Sequence, residues 1–304
     1  MDNLTHTLTG IAIARLGLDK RVPGATLTLA LSANLPDLDI VSALWGNVSY
    51  LQHHRGISHA FFASPVLAAG LAFLLSRWPR SARPFAPTFL LAWLGVCAHI
   101  VSDLWTSYGT RALLPFDSTW YAWDWIFIVD PVLLLLLAVV CFGKRAFASG
   151  SLRRWAASLA ILYIGLRAGA HWMAQGQAQS LAGSEFDLVR TLPDPLLLNK
   201  WRFVAMSESR FATGRVPAVG TTRSKVVFQR IQPDALVLAV AKESAAARVF
   251  LDFSPLPRLE LRLEGDLTVV LWRDLRFADR IANGFFCEVK VDPAGQIASE
   301  RVVF

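Results

Sequence analysis

Four short groups in the first third of the chain hold residues able to bind a metal: His6-Thr7, Asn34-Leu35-Pro36-Asp37-Leu38-Asp39, His54-Arg55-Gly56-Ile57-Ser58-His59, and His99-Ile100-Val101-Ser102-Asp103. On a helix, His99 and Asp103 at i and i+4 project from one face, the spacing for a shared ion or a histidine–carboxylate pair. His54 and His59 lie five apart across a glycine, which predicts a loop and the start of the next helix. Pro36 suits a first helical turn and puts Asp37 and Asp39 near an N-terminus, where the helix dipole favours carboxylates. Neutral imidazoles with carboxylates suit zinc, manganese or iron. The candidate ligands are His6, Asp37, Asp39, His54, His59, His99 and Asp103, enough for one ion with supporting groups or for two. Such an ion lowers the pKa of its water and polarises a carbonyl or phosphoryl oxygen. Asp37, Asp39 and Arg55 are the candidate catalytic residues, Arg55 because its fork of donors matches a phosphate.

Each group also has a plain structural reading. His6 could be interfacial, Asn34 and Asp37 caps, Ser58 the N-cap of the third helix, and His99–Asp103 a buried hydrogen-bonded pair. The balance shifts because an ionisable side chain in a membrane segment costs about 2.5–3.5 kcal/mol on insertion scales, which makes such groups functional candidates. No Gly-x-Ser-x-Gly or Ser-His-Asp arrangement competes. A second polar stretch runs from Tyr108-Gly109-Thr110-Arg111 through Asp117 to Asp124 and Asp130-Pro131. Asn34, Ser58, Arg111, Asp124 and Asp130 are expected to support the site or position substrate. Asp130, inside an apolar run, needs a partner that Arg111 or the ligand cluster could supply. Trp120, Trp123 and Trp125 read as an aromatic belt, and His53 and His171 as non-ligating.

The elements that must position these groups are apolar runs at 4–18, 24–45, 57–76, 86–108, 125–142 and 155–174. Most approach the roughly 20 residues that cross a bilayer. The first is short and the second is broken by Asn34, Pro36, Asp37 and Asp39, so both are expected as partly inserted helices packed against the others. Basic loops follow the first, third and fifth runs, at Lys20/Arg21, at Arg77/Arg80/Arg83, and at Lys144/Arg145/Arg153/Arg154; the positive-inside rule makes them cytoplasmic. Nearly all the candidate ligands then collect at the opposite face. The prediction is an α-helical integral membrane domain over 1–174 with about four to six membrane-embedded helices, a polar linker over 175–185, and a small β-rich soluble domain over 186–304, outside the membrane and periplasmic in a bacterium. The β expectation rests on short runs at 201–206, 225–231, 236–241, 248–253, 259–263, 267–272, 285–291 and 297–304, several of them alternating.

Composition agrees: 54% of the 304 residues are hydrophobic and 17% charged, more apolar than one aqueous core requires. Residues up to Ala174 hold 13 Lys/Arg and 8 Asp/Glu, the remainder 17 and 15. A pI near 9.7 does not imply nucleic acid, because the basic residues of the first part sit in clusters between apolar runs. Cys97, Cys141 and Cys287 are far apart, so neither a disulfide framework nor a cysteine metal site is expected. Polar Asp2, Asn3, Thr5 and His6 at the N-terminus are unlike a cleaved signal.

The order His-Thr, Asn-x-Pro-Asp-x-Asp, His-Arg-Gly-x-Ser-His and His-x-x-x-Asp, followed by Tyr-Gly-Thr-Arg, resembles the LexA-binding, inner-membrane-associated metal-dependent hydrolase family over roughly residues 1–131. The resemblance implies a multi-pass protein of the bacterial inner membrane, a divalent metal, zinc first, and the seven ligands named above. More distantly, the pattern is similar to zinc-dependent phospholipase C proteins, which suggests a lipid or other phosphoester substrate. Two readings compete with a hydrolase: a non-enzymatic membrane scaffold or sensor with a structural His/Asp cluster, and a metal or proton transporter. Membrane lipid is the expected partner, and oligomeric state is left open.

Overall fold

The computed structural model describes residues 1–78, 83–143, 151–221, 223–229, 235–278 and 284–304. Arg80, Lys144 and Arg145 of the basic loops lie outside the described residues. Two compact units emerge. One comprises Met1–Asp39, Arg55–Trp172 and Pro193–Asn199; the other comprises Ile40–His54, Met173–Leu192 and Lys200–Phe304.

The first unit is helical. Helix α1 (Asn3–Arg15) starts where the Asp2 carboxylate accepts from the Thr5 backbone N–H, an N-cap. Helix α2 (Ala25–Ser32) packs closely on it at Gly10, where a Cβ would lie 2.3 Å from the Leu29 carbonyl oxygen. Helix α4 (Ser64–Ser76) packs on α5 (Phe85–Leu104). At Gly95 of α5 a Cβ would meet Ser32 Oγ at 2.0 Å. Small residues thus let backbones approach, as in membrane helix pairs. Helix α6 (Pro131–Phe142) opens on Asp130, whose carboxylate accepts from the Val132 and Leu133 N–H groups and from the Tyr163 hydroxyl at 2.8 Å. Arg111 and the ligand cluster are therefore not what satisfies Asp130, contrary to expectation. Arg167, fully buried on α7 (Ser151–Ala182), donates to the carbonyls of Trp125, Asp194 and Leu197.

Two stretches are long and apolar enough to cross a membrane, Ala25–Trp45 and Phe85–Leu104, or three if the bent pair Asn47–His59 and Ser64–Ser76 counts as one span. The runs at 4–18, 57–76 and 125–142 yield α1, α4 and α6 of only 13, 13 and 12 residues. At 1.5 Å per residue such helices reach about 18–20 Å, short of about 30 Å of hydrocarbon. Helix α7 has the length, at 32 residues, but not the apolarity. The described residues thus form a helical N-terminal region with two candidate spans, where four to six embedded helices were expected.

The second unit holds two four-stranded sheets in sequence order. One is β1 (Leu188–Pro193), β2 (Lys200–Met206), β3 (Arg210–Pro217) and β4 (Ser224–Gln229); the other is β5 (Pro257–Glu264), β6 (Leu267–Asp274), β7 (Phe286–Val291) and β8 (Ile297–Val303). From β2 to β4 and from β5 to β8 the pairing is antiparallel, with Phe203 opposite Gly214 and Val270 opposite Val289. One expectation is corrected. Residues 236–241 and 248–253 are not strands but lie in α8 (Ala235–Lys242) and α9 (Ala245–Phe253). Short aliphatic runs suit either state, and here alanines and the Ser244 cap on the Ala247 N–H favour helix. The expected linker continues α7 as far as Ala182. Finally, α3 (Asn47–His53), from the N-terminal third, packs on α9 and β8, with Asn47 Nδ2 donating to the Val302 carbonyl at 2.9 Å.

Candidate metal centre

Four of the predicted ligands converge in the first unit. The side chains of Asp37, His59, His99 and Asp103 present one donor atom each, all within 4.8 Å of one another. Asp37 comes from the 3-10 stretch Pro36–Trp45, His59 from the 3-10 turn Ile57–His59, and His99 and Asp103 from adjacent turns of α5. His59 Nε2 lies 3.0 Å from His99 Nε2. Asp37 Oδ1 is 3.3 and 3.6 Å from those two nitrogens, and Asp103 Oδ2 is 3.4 and 3.2 Å from them. A tetrahedral ion with ligands at about 2.0–2.1 Å separates its donors by about 3.3 Å. The five separations are of that size, and the sixth, between the two carboxylates, lies within 4.8 Å.

The outer nitrogens determine what the inner ones can be. His99 Nδ1 is 2.7 Å from the Ala33 carbonyl, which can only accept, so Nδ1 carries the hydrogen. Ser58 Oγ donates to Asp39 Oδ2 at 2.8 Å and therefore accepts from His59 Nδ1 at 2.9 Å. With both Nδ1 positions protonated, the imidazoles in their neutral form would turn two bare Nε2 lone pairs toward each other and toward two carboxylate oxygens. A cation between them removes the repulsion. The same orientation by outer partners is what metal-ligating histidines show.

His6 stands beside this group. Its ring stacks on His99 with centroids 3.7 Å apart, its Nδ1 is 3.2 Å from Ser102 Oγ, and its Nε2 is 3.3 Å from Asp103 Oδ1. Ser102 Oγ donates to the His99 carbonyl, so it accepts from His6. His6 Nε2 and Asp103 Oδ2 are buried without a hydrogen-bond partner, the condition of atoms awaiting an ion. Burial, then the N-terminal ammonium and His99, push the His6 imidazole down to about 3; α1, too short for a candidate span, thus supplies a neutral ring.

Asp103 also accepts from the Met1 ammonium and, at 2.9 Å, from an Arg55 Nη. Arg55 is buried at φ +57, a left-handed conformation unusual outside glycine. Its other Nη donates to Thr106 Oγ1 at 3.3 Å, its guanidinium lies 4.7 Å from the Tyr108 ring centre, and its backbone N–H donates to Asp39 Oδ2 at 3.0 Å. Asp39 Oδ2 thus holds the Arg55–His59 turn through the Arg55 N–H and the Ser58 hydroxyl, and lies 3.3 Å from His59 Nδ1.

The remaining candidates fall as follows. His54 belongs to the second unit, where it caps α3 and stacks on Tyr50 at 4.6 Å. Asn34 donates to the Ala30 carbonyl and to Thr7 Oγ1, joining the two earliest motifs. Ser58 sits inside the turn and is not the N-cap of α4, which starts at Ser64. Arg111 stacks on Trp120 at 4.4 Å and donates its N–H to the Arg55 carbonyl. Asp124, also at positive φ, accepts from His171 Nδ1 through its carbonyl. Ser102, Thr106 and the Ala33 carbonyl were not anticipated; Ser102 and Thr106 lie one turn after His99 and Asp103, a periodicity that could have marked them.

The profile of the YdjM inner membrane protein family matches residues 1–177. The chain is 27% identical over 296 residues to the uncharacterized protein YfhP of Bacillus subtilis (strain 168), covering 92% of this chain and 88% of that one. No solved structure matches.

Proposed function

The chain belongs to the YdjM inner membrane protein family, and from the four converging donor atoms we propose that it is a membrane-bound, metal-dependent hydrolase of a lipid or other phosphoester. The carrying observation is the set of donor separations of 3.0–3.6 Å among Asp37, His59, His99 and Asp103, with both imidazoles turned Nε2 inward. These four residues hold the ion and His6 borders it; two neutral nitrogens and two carboxylates suit zinc, with manganese or iron as alternatives. Bound there, a divalent ion supplies Lewis acidity and acidifies its water toward neutrality. Asp39 and Ser58 keep His59 in the ligating tautomer. Arg55, beside Asp103, meets an anionic phosphoryl group with its planar donors. Several passes through the bacterial inner membrane, with the second unit on the periplasmic side, complete this reading.

A structural cluster in a scaffold or sensor is the second reading. It is favoured by the Met1 ammonium and Arg55, which already place positive charge on Asp103. Metal analysis of detergent-purified protein separates the two. We expect about one equivalent of transition metal in the wild type and none in a folded Asp37→Ala, His99→Ala variant. A folded wild type that is metal-free and takes up no added zinc, manganese or iron overturns the hydrolase reading.

A further inference from the structure

Two neighbouring loops, one of which carries the candidate ligand His59, expose an apolar cluster. Residues 55–63 hold Arg55, Ser58 and His59, which face inward. The same residues expose Ile57, Phe61 and Phe62, the last at 61%. Residues 111–117 lie against them. Arg111 N–H donates to the Arg55 carbonyl and Phe61 N–H to the Ala112 carbonyl, both at 3.0 Å. This second loop exposes Leu113 and Phe116, the latter at 82%. The Phe62 and Phe116 rings meet edge to face, with centroids 5.4 Å apart.

Solvated loops seldom keep such a group in water, since burying a phenylalanine recovers roughly 1.5–3 kcal/mol. Its company indicates the occupant. Within two residues of Ile57 lie a buried guanidinium and a candidate metal ligand; next to Leu113 and Phe116 lies Arg111, stacked on Trp120. Apolar surface flanked by arginine and tryptophan is the composition of a bilayer boundary, where acyl chains and phosphate meet. A water-soluble phosphoester has no use for the apolar half.

We propose that residues 55–63 and 111–117 form a lipid-facing rim of the metal centre, with Ile57, Phe61, Phe62, Leu113 and Phe116 receiving an acyl chain of a bilayer phospholipid whose phosphate reaches Arg55. The inference rests on the hydrolase reading for its chemistry and deepens it by naming the substrate class, a membrane phospholipid drawn sideways from the bilayer.

The test uses the full-length protein reconstituted in phosphatidylethanolamine/phosphatidylglycerol vesicles, with the photocrosslinker p-benzoylphenylalanine placed at Phe116, at Phe62, or at Leu263, an exposed position on β5. Mass spectrometry is expected to find phospholipid adducts at 116 and 62 and none at 263. Absence of adducts at both loop positions, or equal labelling at 263, overturns the proposal. The crosslink reports lipid contact whether or not anything is hydrolysed, so it fails independently of the metal analysis. A Phe62→Ser, Phe116→Ser variant, with metal content as the folding control, is then expected to lose about tenfold in turnover of long-chain phospholipid and to keep its rate on a water-soluble phosphodiester. Equal loss on both substrates overturns the acyl-chain role.

Discussion

Single atoms distinguish the surroundings of Asp37 and Asp39. Both carboxylates lie two residues apart on the Pro36–Trp45 stretch, yet Asp37 Oδ1 faces the two inner nitrogens, whereas Asp39 Oδ2 takes the Ser58 hydroxyl and the Arg55 N–H. A ligand and an orienting residue behave differently on substitution. Loss of an outer carboxylate partner typically weakens metal affinity 10–100-fold without removing the site. Asp39→Asn is therefore expected to retain metal at saturation but release it to a chelator about 10–100-fold more readily, while His59→Ala abolishes binding. Chelator competition on the purified variants reads the difference, and complete loss of metal in Asp39→Asn would return Asp39 to the ligand set. The pairing of His99 with Asp103 was legible from spacing alone because i and i+4 must share a helical face. The company of His6 was not, because a stacked ring from another helix leaves no spacing to read.

At the scale of elements, glycines and one aspartate govern how helices meet. Gly95 lets α5 approach the end of α2, and that approach sets His99 Nδ1 against the Ala33 carbonyl. Gly95→Val places Cβ where Ser32 Oγ now lies, so α2 and α5 must separate. Overpacking of this kind costs about 1–3 kcal/mol. The expected result is a lowered thermal midpoint together with weakened metal binding, whereas Gly70→Ala on α4, where a Cβ meets nothing within 4 Å, leaves both unchanged. Asp130 acts where α6 begins: it caps two N–H groups there and accepts from Tyr163 of α7. Asp130→Ala is expected to lose about 1–3 kcal/mol of stability in denaturant titration while metal content holds. Loss of metal at full stability would place Asp130 at the centre after all. The apolar run around Asp130 was plain in the sequence; its partner Tyr163, 33 residues away on another helix, was not.

Across the whole molecule, the units do not follow the order of the chain. Ile40–His54 leaves the helical unit after Asp39 and returns at Arg55, and in between it contributes buried Leu51 and the α3 contacts to the β-rich unit. A chain ended after Ala182 is accordingly expected to lose hydrogen-exchange protection across α3 while α5 keeps its own; unchanged protection in α3 would mean the segment is held elsewhere. Composition and periodicity by themselves determined that apolar helices come first and strands follow, since hydropathy and alternation are local properties that no packing can rewrite. They also determined which residue types could hold a metal. Tertiary structure alone decided that α1, α4 and α6 stop short of a span, that 236–241 and 248–253 coil into helices, and that Asp37 Oδ1 faces the two histidine Nε2 atoms while Asp39 Oδ2 faces Ser58 and the Arg55 N–H. Helix ends depend on caps and on what lies alongside, short aliphatic runs satisfy either backbone, and a coordination shell exists only where side chains distant in sequence bring their lone pairs to one point.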